Sequence, residues 1–321
     1  MFAERIATLR SGTRRFDAGA RAALVLLLAM YAAALLAPVI APYAQSEQVD
    51  IVRMANHAPT LAHPFGTDRF SRDVLTRVLY GARVSLSIAT IAVLVAAVVG
   101  TMYGLVAAAF GGVVDTLLMR LLDTMLAIPK VLLLVAVLAL WSPMPLWALV
   151  LLLGLTGWFD VSRLVRAEAL VVREREFVLA AHALGAGRRR VMFRHLLPNV
   201  LVPVIVTTTL GIGNVIVLEA GLSFIGIGVR EPNASWGTMF YEASEAFAGT
   251  WWAALFPGVA IVTTVLCFNV LGDALRAALD PRQLPSASVG TRGAAATSID
   301  VFPGAARNLH SDGGDPSRSL P

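Results

Sequence analysis

Residues 86–109 read LSIATIAVLVAAVVGTMYGLVAAA, without one charged side chain. A helix rises about 1.5 Å per residue, so this run reaches across the roughly 30 Å hydrocarbon core of a bilayer. Its apolar residues are continuous rather than alternating, which excludes a barrel strand. A lone span in lipid has to satisfy its own backbone, and a helix does so. The same reading extends outward to residues 22–41, 117–141, 146–165, 200–219 and 252–271. An all-α polytopic bundle of about six transmembrane helices is predicted.

The composition agrees. Hydrophobic residues make up 57% of the 321, and charged residues only 15%. Soluble chains sit near about 45–50% and 25%. The mean hydropathy is +0.72. The formal charge of +5 rests almost entirely on arginine, Lys130 being the sole lysine. These arginines lie between the apolar runs, a placement that speaks for membrane topology rather than nucleic-acid binding. Cys267, the single cysteine, excludes an internal disulfide and any cysteine-built metal motif. His57 and His63 lack metal-ligand spacing.

Arginine placement also sets the orientation. Arg5, Arg10, Arg14, Arg15 and Arg21 precede the first run. Arg163, Arg166, Arg173, Arg175, Arg188, Arg189, Arg190 and Arg194 follow the fourth, and Arg276 and Arg282 follow the last. Six crossings put all three groups on one side, which the positive-inside rule makes cytoplasmic. Residues 1–21 are then a cytoplasmic segment, 22–283 the membrane domain, 43–85 a periplasmic segment and 166–198 a cytoplasmic loop. The loop at 43–85 resists the rule, since it carries Arg53, Arg69, Arg72, Arg77 and Arg83. The first run is long for a signal peptide and lacks a cleavage site, so it is expected to stay as a helix. The Gly-, Ser- and Pro-rich residues 284–321 are expected to be a disordered cytoplasmic tail.

The loop Arg173-Glu174-Arg175-Glu176-Phe177-Val178-Leu179-Ala180-Ala181-His182-Ala183-Leu184-Gly185 places Phe177, Val178, Ala181 and Leu184 at helical spacings of three and four. A short amphipathic helix between two spans suits docking into a groove on a cytoplasmic partner; the alternative is an Arg-rich loop that only fixes topology. Asp123 and Lys130, seven apart, are expected on one helix face, with Pro129 opening or kinking the helix beside them. They either line a pathway or snorkel to the interface. Glu219 is a pathway or interface group, and the glycines around Ser223, Phe224 and Gly226 form either an outer gate or a tight loop. Residues 73–86 read as an amphipathic helix at the outer membrane interface or as a contact surface for an outer partner protein.

The stretch Ala180-Ala181-x-x-x-Gly185 with Leu197-Pro198-Asn199 resembles the "EAA" loop of permease subunits of binding-protein-dependent ABC importers. His63-Pro64-Phe65-Gly66-Thr67-Asp68, Tyr80-Gly81-Ala82-Arg83-Val84-Ser85-Leu86, Leu222-Ser223-Phe224-Ile225-Gly226-Ile227-Gly228 and Ser235-Trp236-Gly237 are similar to the dipeptide/oligopeptide "C" subunit branch. Leu179 departs from the family's common Glu, and His182 stands where Arg is common.

The resemblance implies the type I ABC importer permease fold in a bacterial inner membrane. It implies a coupling helix whose ATPase contacts are Glu176, Phe177, Val178, Ala180, Ala181, His182, Leu184 and Gly185. The implied partners are a second homologous permease subunit, two ATP-binding subunits and an extracytoplasmic solute-binding protein, with lipid around the spans. The implied solute is a di- or oligopeptide, or nickel or another small solute. The chain carries no G-x-x-x-x-G-K-[ST] phosphate loop, so ATP and magnesium are expected on partner chains and no cofactor here. No catalytic motif points to an enzyme. The rival reading is an ATP-independent transporter or channel, whose usual inverted repeats are not evident in the sequence.

Overall fold

A computed structural model describes residues 17–141, 143–245 and 249–279. The predicted tail at 284–321 and most of the N-terminal segment lie outside the described residues. The described residues are helical apart from loops and one isolated antiparallel bridge, Thr67 to Asp73. In chain order the helices are α1 (Ala18–Ile40), α2 (Val74–Phe110), α3 (Gly112–Leu126), α4 (Lys130–Leu140), α5 (Leu146–Arg173), α6 (Glu176–Ala183), α7 (Arg188–Phe224), α8 (Trp236–Ser244) and α9 (Trp251–Leu279). Among them α1, α2, α5, α7 and α9 are each long and apolar enough to cross a membrane, and α3 with α4, bent by 71° at their break, makes a sixth if the pair counts as one span. The all-α polytopic bundle is thus what the apolar runs predict.

Helix α2 is the centre of the bundle, touched by α1, α3, α5, α7, α8 and α9. It is also longer than its apolar run implies. Asp73 starts it, accepting the Thr76 N–H at 2.8 Å, while its other oxygen lies 3.0 Å from His63 Nδ1. Residues 73–86 are therefore the first turns of α2, not a separate helix on the membrane surface. Val74 is buried with Met239, Trp252 and Ala253, so this end is pinned by packing as well as by its cap. At 37 residues, α2 projects well past a core about 30 Å thick.

The tightest contact joins α2 to α5. Gly100 and Gly104 on α2 face Val161 and Ser162, and Gly154 on α5 faces Ala92 and Val95. A Cβ on Gly104 would sit 2.5 Å from the Ser162 carbonyl oxygen. Small residues matter here because lipid tails leave no hydrophobic drive between helices, so close backbone approach and dispersion carry the association. α1 follows the same logic, burying a stripe of Ala20, Ala23, Leu27, Ala34 and Ala37 and leaving Val25, Leu28 and Leu35 exposed, as a lipid-facing helix does.

The remaining boundaries differ from the apolar runs for local reasons. The residue before a proline is driven out of the helical region, so the third apolar run breaks at Ile128-Pro129, where Pro129 is expected to open or kink the helix. α7 begins at Arg188, well ahead of its apolar run, and passes a π-helical turn at Met192–Leu196. Gly104→Leu is expected to lower stability by roughly 2 kcal/mol through overpacking. Thermal unfolding in detergent, followed by tryptophan fluorescence, checks it against Leu94→Ala on an exposed face, which is expected to shift little.

Candidate functional site

At one end of the bundle the C-termini of α2 and α5 meet α6 and the start of α7. Arg173 ties the first two together, donating to the Ala108 carbonyl at 2.8 Å. The cluster Leu105, Val165, Ala169, Val172, Val191, Met192, Leu196 and Val200 fills this end, and Val178 of α6 plugs into it with no exposed surface. α6 carries Glu176 in its first turn and His182 in its last, in keeping with the helix dipole. It stops in a Schellman arrangement: Gly185 N–H donates to the His182 carbonyl at 2.9 Å and Ala186 N–H to the Ala181 carbonyl at 3.0 Å. Gly185 has φ +80°, the left-handed conformation that glycine adopts without strain.

The expected single apolar face of this helix is corrected. Val178 points inward and Ala181 is half-buried, so neither belongs to an exposed docking face. Phe177, Ala180 and Leu184 form the outward side, with Leu179 beside them. Leu184 is 90% exposed and Leu179 56%. A helix anchored by one valine while four neighbours stand in solvent presents a surface that its own chain does not cover. Glu176 and His182 are exposed too, and the Phe177 ring lies 6.2 Å from that of His195.

The expected common face of Asp123 and Lys130 is also corrected, because the break puts them on different helices. Asp123 of α3 pairs with Arg163 of α5, both half-exposed. Asp115 takes Arg166 in a two-pronged contact. Lys130 opens α4 and is half-buried there.

Glu219 lines no open surface. It is 1% exposed in a closed polar nest between α2 and α7, accepting from Ser85 at 3.2 Å and from Ser223 at 2.7 Å. Ser85 in turn accepts the Trp236 N–H and Ser223 the Val229 N–H. Of the other gate candidates, Ser223 is buried with it, Phe224 packs against Phe240, and Gly226 turns the chain out of α7 at φ +84°.

The opposite end holds an ion network absent from the sequence reading. Arg72 and Arg77, both under 9% exposed, share Asp68 and Glu242, and Arg72 also reaches Glu231. Arg72 lies over the Phe70 ring as well. Burial alone would weaken its hold on a proton, but the Asp68 and Glu242 charges and hydrogen bonds to Glu231 and Asp68 outweigh it and raise its pKa. Trp252 donates to the Thr67 carbonyl at 3.0 Å, and Phe65 stacks on Phe256. The loop at 41–73 is thereby fastened to α8 and α9.

A family described as the binding-protein-dependent transport system inner membrane component matches residues 100–284, more than half of the chain. The chain belongs to that family. The N-terminal TM domain of oligopeptide transport permease C matches residues 15–59. A putative peptide transport system permease protein of Brucella suis biovar 1 is 44% identical over 265 residues, 82% of this chain and 87% of that one. The dipeptide transport system permease protein DppC of Alkalihalophilus pseudofirmus is 39% identical over 81% of this chain and 84% of its own. DppC of Bacillus subtilis is 37% identical over 82% of each.

The network escaped the sequence because Glu231 and Glu242 lie more than 150 residues from Arg72. The available signal was the surplus of arginines in an otherwise outer loop. Removing one partner of a buried charge cluster strands the rest. Arg77→Met is therefore expected to cost on the order of 3 kcal/mol. Thermal unfolding is to show the loss, and Arg77→Met/Glu242→Gln is expected to recover part of it.

Proposed function

We propose that the chain is the membrane-spanning permease subunit of an ATP-driven importer of di- or oligopeptides in a bacterial inner membrane. Family membership and the peptide-transport names of its relatives support the reading. The observation that carries it is α6: a short capped helix, anchored by Val178, offering Phe177, Ala180 and Leu184 at the Arg-rich end. That surface fits a groove on an ATPase subunit. A second, homologous permease subunit completes the pathway, a second ATPase subunit serves it, and a solute-binding protein delivers peptide to the opposite end.

In this reading ATP closes the ATPase pair, which binds one arrangement of the permeases better than the other. Only such differential binding moves the equilibrium. The force enters through α6 and reaches the bundle through the cluster around Val178 and through Arg173. The packed contact of α2 with α5 makes that half of the bundle move as a body.

Leu184→Glu and Phe177→Asp are expected to leave the melting temperature unchanged and to lower ATP-dependent peptide uptake in proteoliposomes by roughly tenfold or more. Val178→Asp is expected to lower the melting temperature itself. Uptake at the wild-type rate by Leu184→Glu would show that α6 is not the coupling element.

A further inference from the structure

Arg189, Arg190 and Arg194 stand exposed in the first turns of α7, and among the described residues none of them has an acidic partner. Arg188 beside them lies over the Phe110 ring at 5.8 Å, so it is engaged within the chain. Phe193, 51% exposed, sits among the three free arginines. Steps of four bring Arg189 beside Phe193 and Arg190 beside Arg194, so the four side chains make one patch. The other side of the same turns buries Val191, Met192 and Leu196 in the cluster that seats Val178. The π-helical turn over Met192–Leu196 runs through the patch, a local departure of the sort found often at functional sites.

What adjoins the patch decides its partner. Residues 196–218 carry no charge, and at 1.5 Å per residue they rise about 34 Å, enough to cross the hydrocarbon core. The arginines thus end where the apolar span begins. In steps of four from Phe193, the side chains of Leu197, Leu201 and Ile205 are all at least partly open and wholly apolar. One ridge of α7 therefore passes without a break from arginines to a surface that lipid covers. A phospholipid suits both parts. Its phosphate takes the guanidinium forks in two-pronged contacts, and its apolar region takes Phe193. A headgroup of net negative charge complements three cations that no acidic side chain balances, whereas a zwitterionic one brings a cation of its own. The added anion also offsets the repulsion between these arginines and the positive end of the α7 dipole.

We propose that the start of α7 is a binding site for an acidic phospholipid, with Arg189, Arg190 and Arg194 holding the phosphate and Phe193 lying against the apolar region below it. The assignment needs only the membrane span and does not rest on the importer reading. Because the same turns hold the cluster that seats α6, an occupied site also steadies the segment on which α6 rests.

The test uses the full-length chain, delipidated in detergent and titrated with phosphatidylglycerol or with phosphatidylcholine of the same acyl chains. Native mass spectrometry reads the first lipid bound. Wild type is expected to bind phosphatidylglycerol at least about tenfold more tightly, since each arginine near an anionic headgroup adds to the attraction. Arg189→Gln/Arg190→Gln/Arg194→Gln is expected to lose most of that preference at an unchanged melting temperature. Arg53→Gln/Arg175→Gln/Arg230→Gln removes the same charge from arginines exposed elsewhere and is expected to keep it.

A second measurement needs no substitution. Raising the ammonium acetate to about 1 M shortens the screening length to about 3 Å and is expected to erase most of the wild-type preference. Equal binding of the two lipids by wild type, a preference that survives the triple substitution or the salt, or an equal loss in the control variant would each overturn the site. Loss of ATPase subunits from a pull-down of the triple variant, with its lipid preference intact, would overturn it in favour of a protein partner for the patch.

Discussion

The contact between α2 and α5 is the constraint on which the other features depend. Gly100, Gly104 and Gly154 let two backbones approach until a Cβ no longer fits. In water such a contact would be one contribution among many. Within lipid it is a principal one, since apolar side chains gain nothing by leaving one hydrocarbon for another. The result is a two-helix rod longer than the membrane is thick. One end carries the start of α2 with Asp73 and the ion network, and the other carries Arg173 and the cluster that seats α6. α1 and α7 pack against this rod, α9 packs chiefly on α7, α1 and α8, and α4 touches the rod sparingly.

The two ends use different physics. At the α6 end apolar burial holds the fold, and charge is left for the surface. At the opposite end two guanidiniums and three carboxylates are folded together with aromatic rings. Such a network adds little net stability over an apolar core of the same shape, because desolvation offsets most of the attraction. It does make the arrangement directional: each guanidinium fixes the carboxylates it forks between, so the loop at 41–73 has one register against α8. A cluster of that kind is costly to rearrange in part and inexpensive to keep whole. The polar nest around Glu219 continues the same device inward, linking α2 to the start of α8 through Ser85 and the Trp236 N–H.

The spans were legible in the sequence because a lipid environment imposes one rule on every residue of a run. That rule locates the apolar middle of a helix and says nothing of its ends. α2 and α7 therefore begin a dozen residues before their apolar runs, where a cap, a cluster or an ion network continues the helix in water. The turn chemistry of α6 was also readable, since Gly185 is one of few residues that end a helix in that way. Its buried face was not: spacing groups Phe177, Val178, Ala181 and Leu184, but which way the group turns is decided by the cavity that receives Val178. The Asp123–Lys130 pairing failed for a related reason. Periodicity presumes an unbroken helix, and Pro129 ends that presumption between the two charges.

Three of the five arginines of the 43–85 loop, which resists the positive-inside rule, are answered by this arrangement. Arg72 and Arg77 are held inside the network, and Arg69 pairs with Glu245. These charges are neutralised by acidic partners that the count of arginines ignores, two of them on α8 or beside it. At the other end Arg188, Arg189, Arg190 and Arg194 stand exposed, with no ion pair among the described residues. They also stand in the first turns of α7, where the helix dipole disfavours cations. A sequence carries such a cost only where the positive charge serves something outside the helix. A membrane's anionic surface and the requirement for a fixed orientation would supply that, in keeping with the positive-inside expectation for this end.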